Sequence, residues 1–186
     1  MKIYLLDRNL EIVNAWNKYF KDIFNIEIIH NDFKEFMDTH NVDCVVSPAN
    51  SYGLMDGGYD RAISEYFGWD LMEKVQQYIL ENYRGEQLVG TSFIISTGLN
   101  NIKLIHTPTM RIPSVIKDPE IVYNCMRSCL LTAIENKINQ IVIPAFGGSC
   151  GKVNPYMISE KMYLAYEQIV NPPIRLDWNY ALRNNL

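Results

Sequence analysis

Two short stretches of the chain gather residue types that could hold a phosphorylated ligand and cleave a bond beside it. The first, VDCVVSPANSYGLMDGGYDRAI over 42–63, runs from an apolar segment ended by Pro48 to the pair Gly57 and Gly58, and carries Asn50 and Asp60. The second, IVIPAFGGSCGKVNP over 141–155, passes through Pro144 into Gly147, Gly148, Ser149, Cys150 and Gly151. Glycines in such turns can take positive φ and let backbone N–H groups approach an anion closely. A carboxylate such as Asp60 can act as a general base when it reaches the attacking water directly or through one relay, and an amide such as Asn50 can orient a hydroxyl. Each feature has a plainer reading as well: Asn50 as the closing residue of an Asx turn, Asp60 as a carboxylate favoured by a helix N-terminus, and both loops as tight turns.

The elements that must position these loops alternate. Strands are expected over 2–6, 26–29, 42–47, 88–96, 102–106 and 140–144, and helices over 9–22, 60–67, 70–83, from Pro119 onward, and over 155–169. A short helix with Phe33, Phe36 and Met37 is capped by Asn31 or Asp32. The nearly continuous apolar run at 140–144 suits a strand buried on both faces of a parallel sheet. The chain therefore reads as an α/β protein, and in open α/β sheets ligands sit at the carboxyl ends of strands, where two glycine loops can clasp one ligand. Residues 171–186 have no clear period and read as an extended arm packed on the body. With no repeat and no linker, one domain over 1–186 is expected.

Composition narrows the partners. The chain has 186 residues, 21 acidic and 17 basic, for a formal charge of −4 without any Lys/Arg run, which argues against an extended nucleic-acid surface or an anionic membrane. At 48% hydrophobic and 20% charged it has ordinary globular composition. No apolar stretch approaches the roughly 20 residues of a membrane helix, and the N-terminus lacks a signal-peptide core, so the expected location is cytoplasmic. Four scattered cysteines without a CxxC spacing agree with that compartment. His30, His40 and His106 have no metal-ligand spacing, so no metal or cofactor is expected; His106, at a strand end, is the histidine to watch. Gly147 to Gly151 also matches the GxSxG nucleophile elbow, but that fold requires a later His and none follows Ser149. Cys150 likewise has no assignable His partner.

The first loop resembles a macrodomain signature: Ser47-Pro-Ala-Asn-Ser51, followed by Gly57-Gly-Tyr-Asp60, stands where that family has Ala-Ala-Asn-Ser, a glycine run and an apolar-Asp pair. The second loop is similar to the other macrodomain signature, a strand ending in Pro that opens into a glycine-rich turn, and one long helix lies between the two. The resemblance extends over roughly 25 to 170. Thr107-Pro-Thr-Met-Arg111 resembles a loop of a bacterial and viral branch, and Asp32 resembles the carboxylate that accepts from the adenine amine.

The resemblance implies a three-layer α/β/α fold, a mixed and mostly parallel sheet with helices on both faces, preceded by an extra strand and helix over 1–23. It implies ADP-ribose or a derivative as ligand, with an ADP-ribosylated protein as a possible partner. Asp32 would read adenine; Ala49, Asn50, Gly57, Gly58 and Tyr59 would line the distal ribose and diphosphate; Gly147, Gly148, Ser149, Cys150 and Gly151 would cradle the phosphates. In the hydrolytic branch, Asn50 would orient and Asp60 activate water at an ADP-ribosyl ester or a 1″-phosphate; a binding module without turnover is the alternative. The sequence departs from the pattern at Ser47 and Pro48, where the family has Asn-Ala, and at Asp56, where its glycine run begins. The aromatic residue common late in the second loop is absent, and the first loop has no lysine.

Overall fold

Alternation along the strands decides the architecture. In the computed structural model, which describes residues 1–183, β1 (Lys2–Asp7) sends Ile3 and Leu5 to one side and Tyr4 and Leu6 to the other. β3 (Cys44–Ser47) and β6 (Gln140–Ile143) divide in the same way: Cys44, Val46, Ile141 and Ile143 face one core, Val45 and Val142 the second. A strand apolar on both faces needs a layer on each side. The first layer is α1 (Leu10–Phe20), α5 (Glu120–Glu135) and α6 (Pro155–Val170), which bury Trp16, Phe20, Met126 and Met162. The second is α2 (Phe33–Thr39), α3 (Gly58–Phe67) and α4 (Asp70–Tyr83), which bury Phe36, Ile63 and Leu71.

The remaining strands are β2 (Ile26–His30), β4 (Phe93–Ser96) and β5 (Lys103–His106). The sheet order is β2-β1-β6-β3-β5-β4, parallel throughout except for the β4–β5 pair. The three-layer, mostly parallel fold matches the expectation. Residues 1–23 hold a strand and a helix, β1 and α1, and β1 pairs with β2 on one side (Ile3 opposite Ile26) and with β6 on the other (Ile3 opposite Ile141).

Most boundaries fall within two residues of the sequence reading, and two departures are larger. The strand expected over 88–96 begins only at Phe93, because residues 87–91 fold into a turn in which the Gln87 side chain donates to the Thr91 carbonyl at 3.1 Å and Gly90 takes a φ of 82°. The C-terminal arm contains a short helix, α7 (Trp178–Arg183), tied back by the Tyr180 hydroxyl, which donates to Gln168 Oε1 at 2.6 Å; the last three residues of the arm lie outside the described part. No helix among the described residues is long and apolar enough to cross a membrane.

Candidate functional site

Because β2, β1, β6 and β3 run parallel, their carboxyl ends open on one edge of the sheet, where ligands of such sheets bind. A cleft of about 330 Å³ lies there, within the range of small-molecule sites. It is lined from β1 by Asp7 and Arg8, from the end of β2 by Asn31, Asp32 and Phe33, and from the two glycine loops. Each residue expected at the site from sequence, from Asp32 through Asp60 to Gly151, lines this one cleft.

The first loop is built around Asn50, which is 7% exposed. Its Oδ1 accepts from the N–H groups of Tyr52 (3.1 Å) and Leu54 (3.3 Å), and its Nδ2 donates to the Leu54 carbonyl at 2.8 Å. The Asx-turn reading of Asn50 is therefore realised, and one Nδ2 hydrogen is left over for a ligand. The loop ends at Gly57, which caps α3 without any side-chain bond, so the first N–H groups of the helix are open to an anion. Asp60 sits in that first turn, 8% exposed, and Ser47 Oγ donates to its Oδ1 at 2.7 Å. Among the described residues its Oδ2 accepts no hydrogen bond and is not sealed off, which leaves it open to the cleft. Burial pushes the Asp60 carboxyl up to about 7, with the Ser47 bond acting in the opposite direction.

The second loop is a tight coil. Gly147, at a φ of 80°, accepts from the Val153 N–H at 3.2 Å, and the Ile116 N–H donates to the Gly151 carbonyl at 2.9 Å. Ile116 thereby straps residues 110–116 over the loop. Of the five glycines expected to exploit positive φ, only Gly58 and Gly147 do so; Gly151 gives room instead, and at Gly57 and Gly148 a Cβ would meet no close contact. Nor does α6 present a free N-terminus at this loop. Asn154 caps it, accepting from Tyr156 N–H at 3.0 Å, and Pro155 has no N–H to offer.

Charge in the cleft is uneven. Asp7, Asp32, Asp56 and Asp60 line it, against Arg8 as its cation. Asp32 caps α2 as well, its Oδ1 accepting from Lys34 N–H at 2.9 Å, so the capping and ligand-facing readings are compatible. Asp7 is raised above the usual carboxylate range by burial, offset by backbone N–H groups of the β1–α1 turn and of Ala145. Asp7, Arg8 and Phe33 were missed in the sequence, although Asp7-Arg8 closes a strand just as Ser47-Pro48 does.

His106 does not join the site. His106 is fully buried away from the cleft lining; its Nδ1 lies 2.6 Å from Gln87 Oε1, its ring stacks on Phe93 at 5.0 Å, and burial holds it neutral, down to about 3. Tyr59 lines the cleft with a ring packed edge-on against Phe33, while its hydroxyl is buried. No histidine lines the cleft beside Ser149 or Cys150, which removes the partner a Ser or Cys nucleophile needs. No group of side chains suited to a metal ion occurs among the described residues.

The Macro domain family model matches residues 46–162, more than half of the chain, from the end of β3 through both glycine loops into α6. The chain belongs to the Macro domain family. An uncharacterised protein of Aquifex aeolicus is 31% identical over 114 residues, covering 61% of this macrodomain and 66%, just under two thirds, of that protein. Among solved structures, the Oceanobacillus iheyensis macrodomain with MES bound superposes with a TM-score of 0.63 at 21% identity, covering 72% of each chain. A mutant of the same protein with ADPR gives 0.63 at 20%, over 73% of this chain and 75% of that one. The Mycobacterium tuberculosis DarG macrodomain gives 0.60 at 16%, over 70% and 85%. At such identities these structures establish the fold. The family match starts at Val46, so the wall of the cleft formed by Asp7, Arg8 and Asp32 lies outside it.

Proposed function

We propose that this macrodomain binds ADP-ribose or an ADP-ribose derivative in the cleft and hydrolyses the bond at its distal ribose, in an ADP-ribosyl ester or a 1″-phosphate. The observation that carries the reading is Asp60: a buried carboxyl at the first turn of α3, fixed through one oxygen by Ser47 and open to the cleft through the other. A carboxylate held near neutrality can take a proton from water at the operating pH, and the loop N–H groups around it suit a diphosphate. The Oceanobacillus iheyensis macrodomain with ADPR supports the choice of ligand. In this reading Asp32 and the neighbouring Arg8 meet the adenosine half, and the loops of 50–60 and 147–151 meet the diphosphate and distal ribose. An ADP-ribosylated protein would present the distal end beside Leu54 and Pro113, which line the cleft.

A second reading, binding without turnover, is favoured by Asn50. Three of the bonds its side chain can make are spent on its own loop, which leaves little with which to orient a sugar hydroxyl.

Calorimetric titration with ADP-ribose, AMP and ribose 5-phosphate tests the shared premise. ADP-ribose should bind more tightly than AMP; absence of binding overturns both readings. Asp32→Ala should weaken ADP-ribose and AMP alike by about 10- to 100-fold, the worth of a hydrogen bond to a carboxylate, and leave ribose 5-phosphate unchanged. Equal weakening of all three would contradict the adenine assignment.

A further inference from the structure

The sequence departs from the family pattern at Ser47, and the structure gives that departure a partner. Ser47 is the last residue of β3, fully buried, and its only side-chain hydrogen bond among the described residues runs from Oγ to Asp60 Oδ1 at 2.7 Å. The bond crosses between two elements, the end of a central strand and the first turn of α3, thirteen residues apart. A hydroxyl donating to a buried carboxylate does two things: it removes torsional freedom from the carboxyl, and it favours the charged form over the neutral acid. Only one carboxylate oxygen is engaged, and the other is the one left open to the cleft.

We propose that Ser47 is a positioning residue for the reaction assigned to Asp60, holding the carboxyl by Oδ1 so that Oδ2 points at the water to be activated. The inference rests on the reading of the cleft given above and adds the residue that aims its base. The neighbouring wall supplies no substitute. Asp7 comes from β1, Asp32 from the start of α2, Asp56 from the first loop and Tyr59 from α3 itself; Arg8 is the cation of the group. None of these sets the level of Asp60, on which burial acts upward and Ser47 alone acts downward. A strand-end asparagine could meet the same carboxylate with an N–H, but its amide is bulkier than a hydroxyl and cannot also accept from a protonated acid through the same atom. Ser47 can donate to the carboxylate and, with its hydroxyl turned, accept from the acid form, so it serves Asp60 before and after proton transfer.

The test titrates the Asp60 carboxyl by carbon-detected NMR and, in parallel, measures the pH profile of ADP-ribosyl ester hydrolysis. Three proteins are compared: wild type, Ser47→Ala and Ser47→Thr. In Ser47→Ala the Asp60 midpoint should move upward by about 1 pH unit, the worth of a hydrogen bond to a charged group, and the acid limb of the rate profile should move with it. The same variant should lower kcat with KM for the ester within about twofold, since a group acting through Asp60 matters chiefly in the transition state. Ser47→Thr keeps the hydroxyl and should restore both midpoint and kcat, which mere loss of packing at the strand end would not allow. An Asp60 midpoint unchanged or lowered in Ser47→Ala overturns the proposal, and so does an unshifted rate profile in a variant whose wild-type parent turns over. A wild type that hydrolyses no ADP-ribosyl adduct overturns the assignment of Asp60 itself, and that failure is separate, because the carboxyl titration reports the Ser47 coupling without any turnover.

Discussion

Asp60→Ala should lower hydrolysis of an ADP-ribosyl ester by about 100- to 10,000-fold, the range expected when a general base is removed, while ADP-ribose affinity stays within a few-fold. The reason is geometric. Asp60 meets the cleft through one oxygen, whereas the N–H groups of α3 and of the loops, which would hold the diphosphate, do not depend on its charge. The proposed reaction needs the base form, so the wild-type rate should rise about tenfold per pH unit below about 7 and level off above it. Parallel loss of affinity and rate would mean that Asp60 holds the loop rather than the water.

The same carboxyl sets a cost in stability whose sign is fixed by linkage. Its folded-state midpoint, about 7, lies above its ordinary value of 3.8, so the folded state holds a proton that the unfolded state has released. The contribution of this group is then fully present below pH 4, falls as the pH rises between 4 and 7, and by pH 8 has been lost, a difference of up to about 4 kcal/mol. Asp60→Asn, which can still accept from Ser47, should therefore melt higher than wild type at pH 8 and at about the same temperature at pH 4. A site group retained at such a cost is what the proposed reaction, rather than folding, would require.

The second large effect is expected at Gly151. A Cβ there would lie 2.5 Å from the Gly147 carbonyl oxygen and 2.7 Å from Ile116 Cδ1, and the nearer of these is backbone. Its φ is ordinary, so the penalty of Gly151→Ala is purely one of contact: the coil of 147–151 must open, and the Ile116 strap must lift. We expect a loss of about 2 kcal/mol, or about 4–8 °C in Tm, and a drop in ADP-ribose affinity of about 10- to 100-fold as the cradle N–H groups move. Gly57→Ala is the matched control. That position has a φ of −137° and nothing within 4 Å of a new Cβ, so its stability should be unchanged. If both variants melt alike, contact at Gly151 does not hold the second loop in shape.

Gly57 and Gly151 mark the limit of what could be read in advance. Both are glycines in loops after strands; that Gly151 needs its emptiness while Gly57 needs neither emptiness nor a special φ depends on Ile116 and on a carbonyl four residues back. The strand-Pro-glycine-helix pattern was legible because its causes are local. Helix boundaries such as Asp70–Tyr83 followed from periodicity for the same reason. The wall of Asp7 and Arg8 was not legible, because β1 reaches the cleft only through pairing with β6, whose residues stand far along the chain. The seclusion of His106 with Gln87 and the shortened β4 likewise come from one side-chain network that no period reveals. Asn50 was legible in both of its readings at once, and only the three bonds it makes divide its side chain between them.

The interior place of β1 has a consequence for folding and for ligand linkage. β1, α1 and β2 are close in sequence and can dock early, but the sheet is complete only when β6 arrives and pairs Lys2 with Gln140 through Leu5 with Ile143. That long-range seam runs through the cleft, with Asp7, Arg8 and Asp32 on one side and both glycine loops on the other. A nucleotide laid across it staples the two halves of the sheet. Its binding free energy is added to the cost of parting them, as RT ln(1 + [L]/Kd), and amide exchange along β1 and β6 should slow in proportion as the cleft fills.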